Sequence, residues 1–287
     1  MKVKAAAKLN LMLDMIKKLD NGYHSLFMVM QSVSLYDTVS VEQNNLGKII
    51  IESDSAEMPK DSTNIAFRCA EKFFDAVGIS KRGITIGIGK NIPMAAGIAG
   101  GSADGAAVLY CLNKIYGANL SNDELCEIGG RVGADIPFSL TGGTAVVLNT
   151  GNVIAPVKPL SDCKIIIVKP QQDVPTKEAY AMLDSIQRLR HLDKVGMLEA
   201  AANGDYKAIC SKCGNVFEQA VEVPERPYIK STMRSHGADA CLMSGSGPTV
   251  FGLFSDESKA KKCFNDLKSS YKNVFECSPV NKGIIEF

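Results

Sequence analysis

Residues 93–107, PMAAGIAGGSADGAA, form the segment of this sequence whose residue types most clearly suggest chemistry. The segment contains four glycines and six alanines; it follows a predicted strand at 84–88 and precedes a predicted helix that ends at Gly117. Backbone N–H groups at a helix start are unpaired and lie at the positive end of the helix dipole, so they can bind phosphate. A tight packing loop would also use glycines. Small residues at nearly every position from 95 to 101 favour phosphate binding.

A lysine and an asparagine share one face of the first predicted strand. Leucines at positions 9, 11 and 13 alternate with other residues, which is the period of a β-strand. Lys8 and Asn10 therefore point away from the leucines, to the same side. A lysine on a strand is usually solvated, so the pattern alone leaves open whether Lys8 lies on the surface or faces a ligand.

The remaining segments predict an α+β protein with helices on one face of an antiparallel sheet. Helix signals in the first half are a polar cluster at 62–64, a stop at Gly78 and a capping box that starts at Ser121. In the second half, strands are predicted at 164–170, 240–243, 249–254 and 273–280, with a turn at 244–248 and a helix at 257–271. A loosened pattern at 151–159 predicts a domain boundary, giving domains 1–155 and 156–287.

Composition and charge narrow the class of partner. The 287 residues are 46% hydrophobic and 22% charged, with a formal net charge of +1 and no block of like charges. This predicts neither a nucleic-acid nor a membrane surface, and no apolar run is long enough to span a membrane. The first residues have no apolar core typical of a signal peptide, so we expect none. The nine cysteines are interpreted as reduced thiols, with Cys210 and Cys213 on one helix face rather than in a zinc site. We therefore expect a cytoplasmic protein with a small-molecule partner.

Three motifs resemble those of the GHMP kinases, a family of small-molecule kinases. The glycine-rich segment resembles the second motif of the family, AKLNLML at 7–13 the first, and LMSGSGPTVFGLF at 242–254 the third. NGYH at 21–24 and GADIPF at 133–138 further resemble members that act on a cytidine diphosphate derivative of methylerythritol. The resemblance implies an N-terminal domain like ribosomal protein S5 domain 2, a C-terminal ferredoxin-like α/β sandwich, and an active site in the cleft between them.

The resemblance implies two catalytic residues. Lys8 matches the catalytic lysine of the family, and Asp135 matches its catalytic aspartate. We expect Asp135 to accept the proton of the substrate hydroxyl while Lys8 orients Asp135 and stabilises negative charge. Because an ordinary aspartate is a weak base, positioning of charge can matter more than proton abstraction. Without the flanking motif, Asp135 would be read as a capping or turn residue.

The resemblance also implies ATP and Mg²⁺ as cofactors. Ser102 is expected to touch the β- and γ-phosphates or the metal ion. The expected ATP-binding residues are Pro93, Met94, Ala95, Ala96, Gly97, Ile98, Ala99, Gly100, Gly101, Ser102 and Ala103. Two positions depart from the family pattern: Ala103 stands where a second serine is common, and LNTGNV at 148–153 differs from the usual G-x-G-E.

The substrate site implied by the resemblance recognises a cytosine ring. Tyr23 and Tyr180 are expected to stack on the base, and His24 to hydrogen-bond its edge. The other expected substrate-binding residues are Asn10, Gly245 and Ser246. The glycine turn at 244–248 either closes the cleft from the second domain or is an ordinary hairpin turn; local sequence fits both.

The implied activity is ATP-dependent phosphorylation of the 2-hydroxyl of this cytidine diphosphate derivative, in non-mevalonate isoprenoid precursor synthesis. The alternatives are another GHMP kinase, acting on mevalonate, homoserine or a sugar, and a non-catalytic relative that binds nucleotide. NGYH and GADIPF favour the cytidyl substrate over the first alternative, and retention of both Lys8 and Asp135 argues against the second. The oligomeric state, monomer or dimer, is left open.

Overall fold

The computed structural model describes residues 1–80, 82–160 and 163–287. Its strands are β1 (Lys2–Lys18), β2 (His24–Gln43), β3 (Ile49–Ser53), β4 (Ile84–Gly89), β5 (Thr144–Asn149), β6 (Val153–Pro156), β7 (Lys164–Lys169), β8 (Gly214–Asn215), β9 (Ala240–Met243), β10 (Val250–Phe254), β11 (Asn273–Cys277) and β12 (Ile284–Glu286). Its α-helices are α1 (Ile65–Val77), α2 (Gly100–Ile115), α3 (Asn122–Gly130), α4 (Ile136–Thr141), α5 (Thr176–Asp184), α6 (Lys194–Asn203), α7 (Tyr206–Lys212), α8 (Arg226–Ser235) and α9 (Glu257–Ser270).

The larger sheet is built around the long antiparallel pair β1 and β2. The order of its main strands is β12-β1-β2-β4-β3. Strand β5 pairs with β2 and with β6, and β8 pairs with β1 in parallel. The turn between β1 and β2 contains Asn21 and Gly22, and Gly22 has a φ of 82°, as the Asn-Gly signal predicts. Leu9 and Leu11 of β1 lie in one apolar cluster, but a register shift between Asn10 and Met12 places Met12 in that cluster and Leu13 in a second one. The predicted alternation is therefore interrupted at Leu11.

The helix ends follow the local sequence signals. The side chain of Asn64 accepts a hydrogen bond from the amide of Ala66 at the start of α1, and Gly78 ends that helix with a φ of 70°. Both halves of the capping box between Ser121 and Glu124 are present at the start of α3. These predictions are confirmed because each depends only on residues within one helical turn.

The smaller sheet has the antiparallel order β11-β7-β10-β9. Ile166 and Val168 of β7 pack with Ile229 of α8 and Leu267 of α9, in one apolar cluster. Ile165 and Ile167, on the other face of β7, belong to the cluster that includes the core of the larger sheet. The predicted α+β class is therefore confirmed, and the two sheets share a core.

The second half of the chain also contributes to the larger sheet. β8 pairs with Met12 and Leu13 of β1, and β12 pairs with the beginning of β1. Neither was predicted, because strands of two and three residues are too short to show a hydrophobic period. The boundary between residues 155 and 156 stays a prediction. Within the described residues, no helix is both long and apolar enough to cross a membrane.

Candidate active site

A cavity of about 1150 Å³ is lined by residues of the larger sheet and by helices and loops from both halves of the chain. The start of α2, the middle of β1, the residue before α4, helix α5 and the turn at 244–248 all line its wall. These are the segments that carry the predicted site residues. The fold therefore gathers into one cavity groups that are far apart along the chain.

The glycine-rich segment has the backbone shape of an anion-binding loop. Ala95, Gly97 and Ala99 have φ values of 50°, 73° and 61°, all in the left-handed region. Two of the three are alanines, for which this conformation is strained; such strain occurs mainly at functional sites. Ala99 precedes α2, and no side chain caps the helix. The first N–H groups of α2 are thus left for a ligand in the cavity.

Gly97 and Gly245 allow the glycine-rich segment and the turn at 244–248 to pack closely together. A Cβ atom on Gly97 would lie 2.6 Å from the carbonyl oxygen of Ser244 and 2.8 Å from that of Gly247. A Cβ atom on Gly245 would lie 2.7 Å from the carbonyl oxygen of Gly97. The glycine turn is therefore more than a hairpin turn, because its backbone packs directly on the glycine-rich segment. The third residue of the turn, Ser246, lines the cavity, and its hydroxyl lies 3.2 Å from that of Thr176.

Lys8 and Asp135 meet at the wall of the cavity. The Nζ atom of Lys8 lies 3.5 Å from Oδ2 of Asp135, although 127 positions separate them in the chain. Lys8 is only 4% exposed, so it is not the solvated strand lysine that the local pattern left open. Asp135 precedes α4 but makes no capping hydrogen bond with its side chain, and that side chain is 32% exposed. The carboxylate is thus available to a ligand.

Asn10 connects this ion pair to the glycine turn. Its Oδ1 accepts hydrogen bonds from Nζ of Lys8 at 2.8 Å and from the amide of Gly245 at 3.1 Å. Its Nδ2 atom is buried and has no partner within the described residues. Asn10 lines the cavity. An unpaired buried donor is costly, so this amide group is a candidate contact for a bound ligand.

A buried lysine between two aspartates lies beneath the glycine-rich segment, and sequence reasoning missed it. Nζ of Lys90 donates hydrogen bonds to Asp37 and, at 2.8 Å, to Oδ2 of Asp104. Oδ1 of Asp37 also accepts hydrogen bonds from the backbone amides of Asn91 and Ile92, at 2.6 and 2.8 Å. The only sequence signal is the position of Lys90 just before the segment, because nothing local indicates that Asp37 comes near.

This buried cluster carries two carboxylates for one ammonium group. Burial works against the charge of Lys90, but Asp104 and Asp37 outweigh it and raise the pKa of the lysine. Burial also raises the pKa of Asp104 to about 7, against the opposing effect of Lys90. Oδ1 of Asp104 is buried without a hydrogen-bond partner in the described part of the chain. Lys90 and Asp104 both line the cavity.

Aromatic residues line the end of the cavity formed by α5. His24 stacks on Tyr180 with ring centroids 4.6 Å apart and an interplanar angle of 20°, and Phe217 meets Tyr180 edge-on at 4.9 Å. Burial raises the pKa of Tyr180. Tyr23 lines the same cavity and is 66% exposed, but it makes no ring contact with another aromatic residue among those described. The structure thus gathers the predicted aromatic residues without pairing the two tyrosines.

Comparison with known proteins places the chain in a family. Residues 64–143 match the family model "GHMP kinases N terminal domain", and residues 197–273 match "GHMP kinases C terminal". Together the matches cover just over half of the chain. The chain belongs to the GHMP kinase family. The glycine-rich segment and Asp135 fall in the first match, and the glycine turn falls in the second.

Relatives of this GHMP kinase are similar over nearly its whole length. A 4-diphosphocytidyl-2-C-methyl-D-erythritol kinase of Geobacillus sp. (strain WCH70) is 42% identical over 275 residues, covering 95% of this chain and 94% of the relative. The protein of that name from Clostridium acetobutylicum is also 42% identical, covering 96% of this chain and 98% of the relative.

Solved structures confirm the GHMP kinase fold. A crystal structure of 4-(cytidine 5'-diphospho)-2C-methyl-D-erythritol kinase has a TM-score of 0.80 and 28% identity, covering 97% of this chain and 99% of that one. A homoserine kinase from Cytophaga hutchinsonii has the same TM-score at 22% identity, covering 99% and 96%. The second likeness shows only the fold, because GHMP kinases with different substrates share it.

Proposed function

We propose that this chain transfers the γ-phosphate of ATP to the 2-hydroxyl of 4-diphosphocytidyl-2-C-methyl-D-erythritol, a step of isoprenoid precursor synthesis. The observation that carries the proposal is the 41–42% identity with kinases of that name over about 95% of the chain. The contact between Lys8 and Asp135 beside the glycine-rich segment supports a working kinase rather than a silent relative. Location in the cytoplasm and the choice between monomer and dimer stay predictions.

Phosphoryl transfer depends mainly on positioning and on stabilisation of charge. In this proposal, the N–H groups at the start of α2 bind the terminal phosphates of ATP, and the segment 93–103 surrounds them. Asp135 accepts the proton of the attacking hydroxyl. Lys8, held by Asn10, orients Asp135 and stabilises negative charge on the transferred group.

The residues of the cavity fit a Mg²⁺ ion that arrives with ATP. Within the described residues, no three His, Cys, Asp or Glu side chains form a group that could hold a metal by itself. Mg²⁺ in kinases keeps waters and phosphate oxygens and takes only one or two protein ligands. The Ser102 hydroxyl lines the cavity, and the unpartnered Oδ1 of Asp104 is buried two residues further on. Ser102 would hold the ion, which neutralises phosphate charge when bound.

The aromatic end of the cavity is proposed to hold the cytidine. Tyr23 and Tyr180 offer ring faces, although His24 covers one face of Tyr180 in the present arrangement. Cytosine binding therefore requires either a stack on Tyr23 alone or a shift of the His24 ring. Asn10, Gly245 and Ser246 line the wall between this end and the glycine-rich segment, and they are proposed to contact the rest of the substrate.

Release of ADP in the presence of ATP and Mg²⁺ tests the proposal. The panel of acceptors contains the cytidyl-methylerythritol substrate, mevalonate, homoserine and a sugar. We expect release with the first compound only. Release with another acceptor would replace the proposed substrate, and release with none would leave a protein that binds nucleotide without catalysis.

A further inference from the structure

Asp184, the last residue of α5, joins two side chains from the β1–β2 hairpin. Its Oδ1 lies 2.7 Å from Nε2 of His24, and its Oδ2 accepts a hydrogen bond of 2.5 Å from Nζ of Lys18. The side chain of His24 is 7% exposed, and its ring also lies flat on Tyr180. The imidazole is thus held by one face and one edge.

The carboxylate determines which ring nitrogen of His24 carries hydrogen. Burial would raise the pKa of Asp184, but hydrogen bonds from Lys18 and His24 outweigh it and hold the pKa below its usual value. An ionised carboxylate only accepts hydrogen bonds, so Nε2 of His24 must be the donor.

The other ring nitrogen of His24 is available to a ligand. Nδ1 has no hydrogen-bond partner within the described residues, whereas Nε2 is bound to Asp184. His24 lines the cavity together with Asp184 and Lys18. In the neutral imidazole with hydrogen on Nε2, Nδ1 is an acceptor.

We propose that Asp184 is a positioning residue for base selection: through His24, it presents an acceptor to the exocyclic amino group of cytosine. Uracil has a carbonyl oxygen at that position, which would place two acceptors against each other. An unpaired polar contact of this kind costs a factor of roughly 10 to 100 in affinity. The inference rests on the proposed function, because it takes the substrate to be a cytidine derivative.

An Asp184→Asn variant should move the ring hydrogen of His24 from Nε2 to Nδ1. Lys18 has only donors, so it should hold the carboxamide oxygen of the new residue and turn its NH₂ group toward His24. Nε2 of His24 then becomes the acceptor, and Nδ1 becomes the donor. We expect affinity for CDP to fall and affinity for UDP to rise, so that the CDP-to-UDP ratio drops by roughly tenfold or more.

Calorimetric titration with CDP, UDP and the diphosphate of pyrimidin-2-one riboside, at about pH 8, measures this preference. The third compound lacks the amino group, so the wild type should bind it more weakly than CDP, and Asp184→Asn should lose that difference. The matched control is Asp173→Asn, which removes an exposed carboxylate that pairs with Lys169. In the control, the ratio should stay as in the wild type.

Nitrogen-15 NMR of the imidazoles gives a second readout, since the chain has only three histidines. We expect the Nε2–H form of His24 in the wild type and the Nδ1–H form in Asp184→Asn. With the full substrate, KM should rise while kcat changes little, because Asp184 pairs with Lys18 and His24 and not with Lys8 or Asp135. An unchanged CDP-to-UDP ratio in a folded Asp184→Asn variant overturns the role of Asp184. A wild type that does not prefer CDP contradicts the proposed function itself.

Discussion

At the scale of single residues, the site depends on buried charges that have partners. A lysine that is 4% exposed, such as Lys8, would be strongly unfavourable without the oxygens of Asn10 and Asp135 around it. The same holds for Lys90 between its two aspartates. Charges in such surroundings act more strongly on a bound phosphate than they would in water.

Removal of either catalytic group should affect turnover more than binding. We expect Asp135→Asn and Lys8→Met each to lower kcat by roughly 100-fold or more while the affinity for ATP changes little. Steady-state kinetics and calorimetry measure the two quantities. The controls are Asp123→Asn in α3 and Lys17→Met near the end of β1, both exposed. Near-normal kcat in either site variant would remove that residue from the mechanism.

The buried cluster of Lys90, Asp37 and Asp104 should contribute to the stability of the fold. Lys90→Met leaves Asp37 and Asp104 buried without a cation, so unfolding free energy should fall by about 3–5 kcal/mol. A second change, Asp104→Asn, should restore part of it. Because the carboxyl of Asp104 has a raised pKa, its neutral form is favoured in the fold, and the deficit of Lys90→Met should grow from about pH 5 to about pH 8.

Urea denaturation of the single and double variants at both pH values checks this prediction. The control is Lys72→Met, which breaks an exposed pair with Asp75 at 4.0 Å and should change stability by less than about 1 kcal/mol. A Lys90→Met protein that is as stable as the control would show that the cluster has no energetic importance.

At the scale of elements, the conformation of the glycine-rich segment and that of the turn at 244–248 depend on one another. By local sequence alone, the first is a phosphate loop and the second a hairpin turn. The glycine-rich segment and the turn at 244–248 touch through backbone atoms at Gly97 and Gly245. Ser244 strengthens this contact, since its hydroxyl donates to the carbonyl of Gly97 at 3.1 Å. The shape of the phosphate site therefore depends on an element from the other half of the chain.

A methyl group at Gly97 should separate these loops. In Gly97→Ala, the new Cβ atom would lie 2.6 Å from a backbone oxygen that belongs to the opposite loop. We expect a loss of about 1–3 kcal/mol in stability and weaker ATP binding. Gly47→Ala is the control, because Gly47 also has a positive φ, 66°, but nothing lies within 4 Å of its Cβ position. Equal effects in both variants would show that strain alone, and not the loop contact, is responsible.

At the scale of the whole molecule, β1 holds the two halves together around the cavity. In the larger sheet, it pairs with β2 from the first half of the chain and with β8 and β12 from the second half. Asn215 of β8 is buried and donates to the carbonyls of Met243 and Gly245, at 2.7 and 2.8 Å. The glycine turn is thus tied to the same strand that carries Lys8.

Loss of this tie should weaken the molecule and the site together. We expect Asn215→Ala to lower the unfolding free energy by about 1–3 kcal/mol, because two buried carbonyls lose their donor. Denaturant unfolding measures the change, and KM for the substrate should rise as the turn loosens. Asn152→Ala, at an exposed position, is the control. A folded Asn215→Ala protein with unchanged stability and KM would contradict the link.

The sequence by itself determined the parts of this protein that depend on neighbours in the chain. The caps of α1 and α3 and the small residues before α2 act within a few positions, so their patterns are readable directly. The alternation predicted for β1 is only partly observed, because a register shift at Leu11 interrupts it. The motifs further indicated the family, and with it Lys8 and Asp135 as a pair. The alternation in β1 could not by itself predict the contact between Lys8 and Asp135, because a lysine on such a strand can equally well face solvent.

Only the tertiary structure decided which distant groups meet. It brought Asp37 and Asp104 to Lys90, Asp184 to His24, and short β8 and β12 to β1. Such contacts leave no local pattern in the sequence, because the residues adjacent to an aspartate do not show whether it will be buried or which distant group it will contact. They arise when two sheets share a core and the polar groups left inside must find partners, a requirement set by packing across the whole chain.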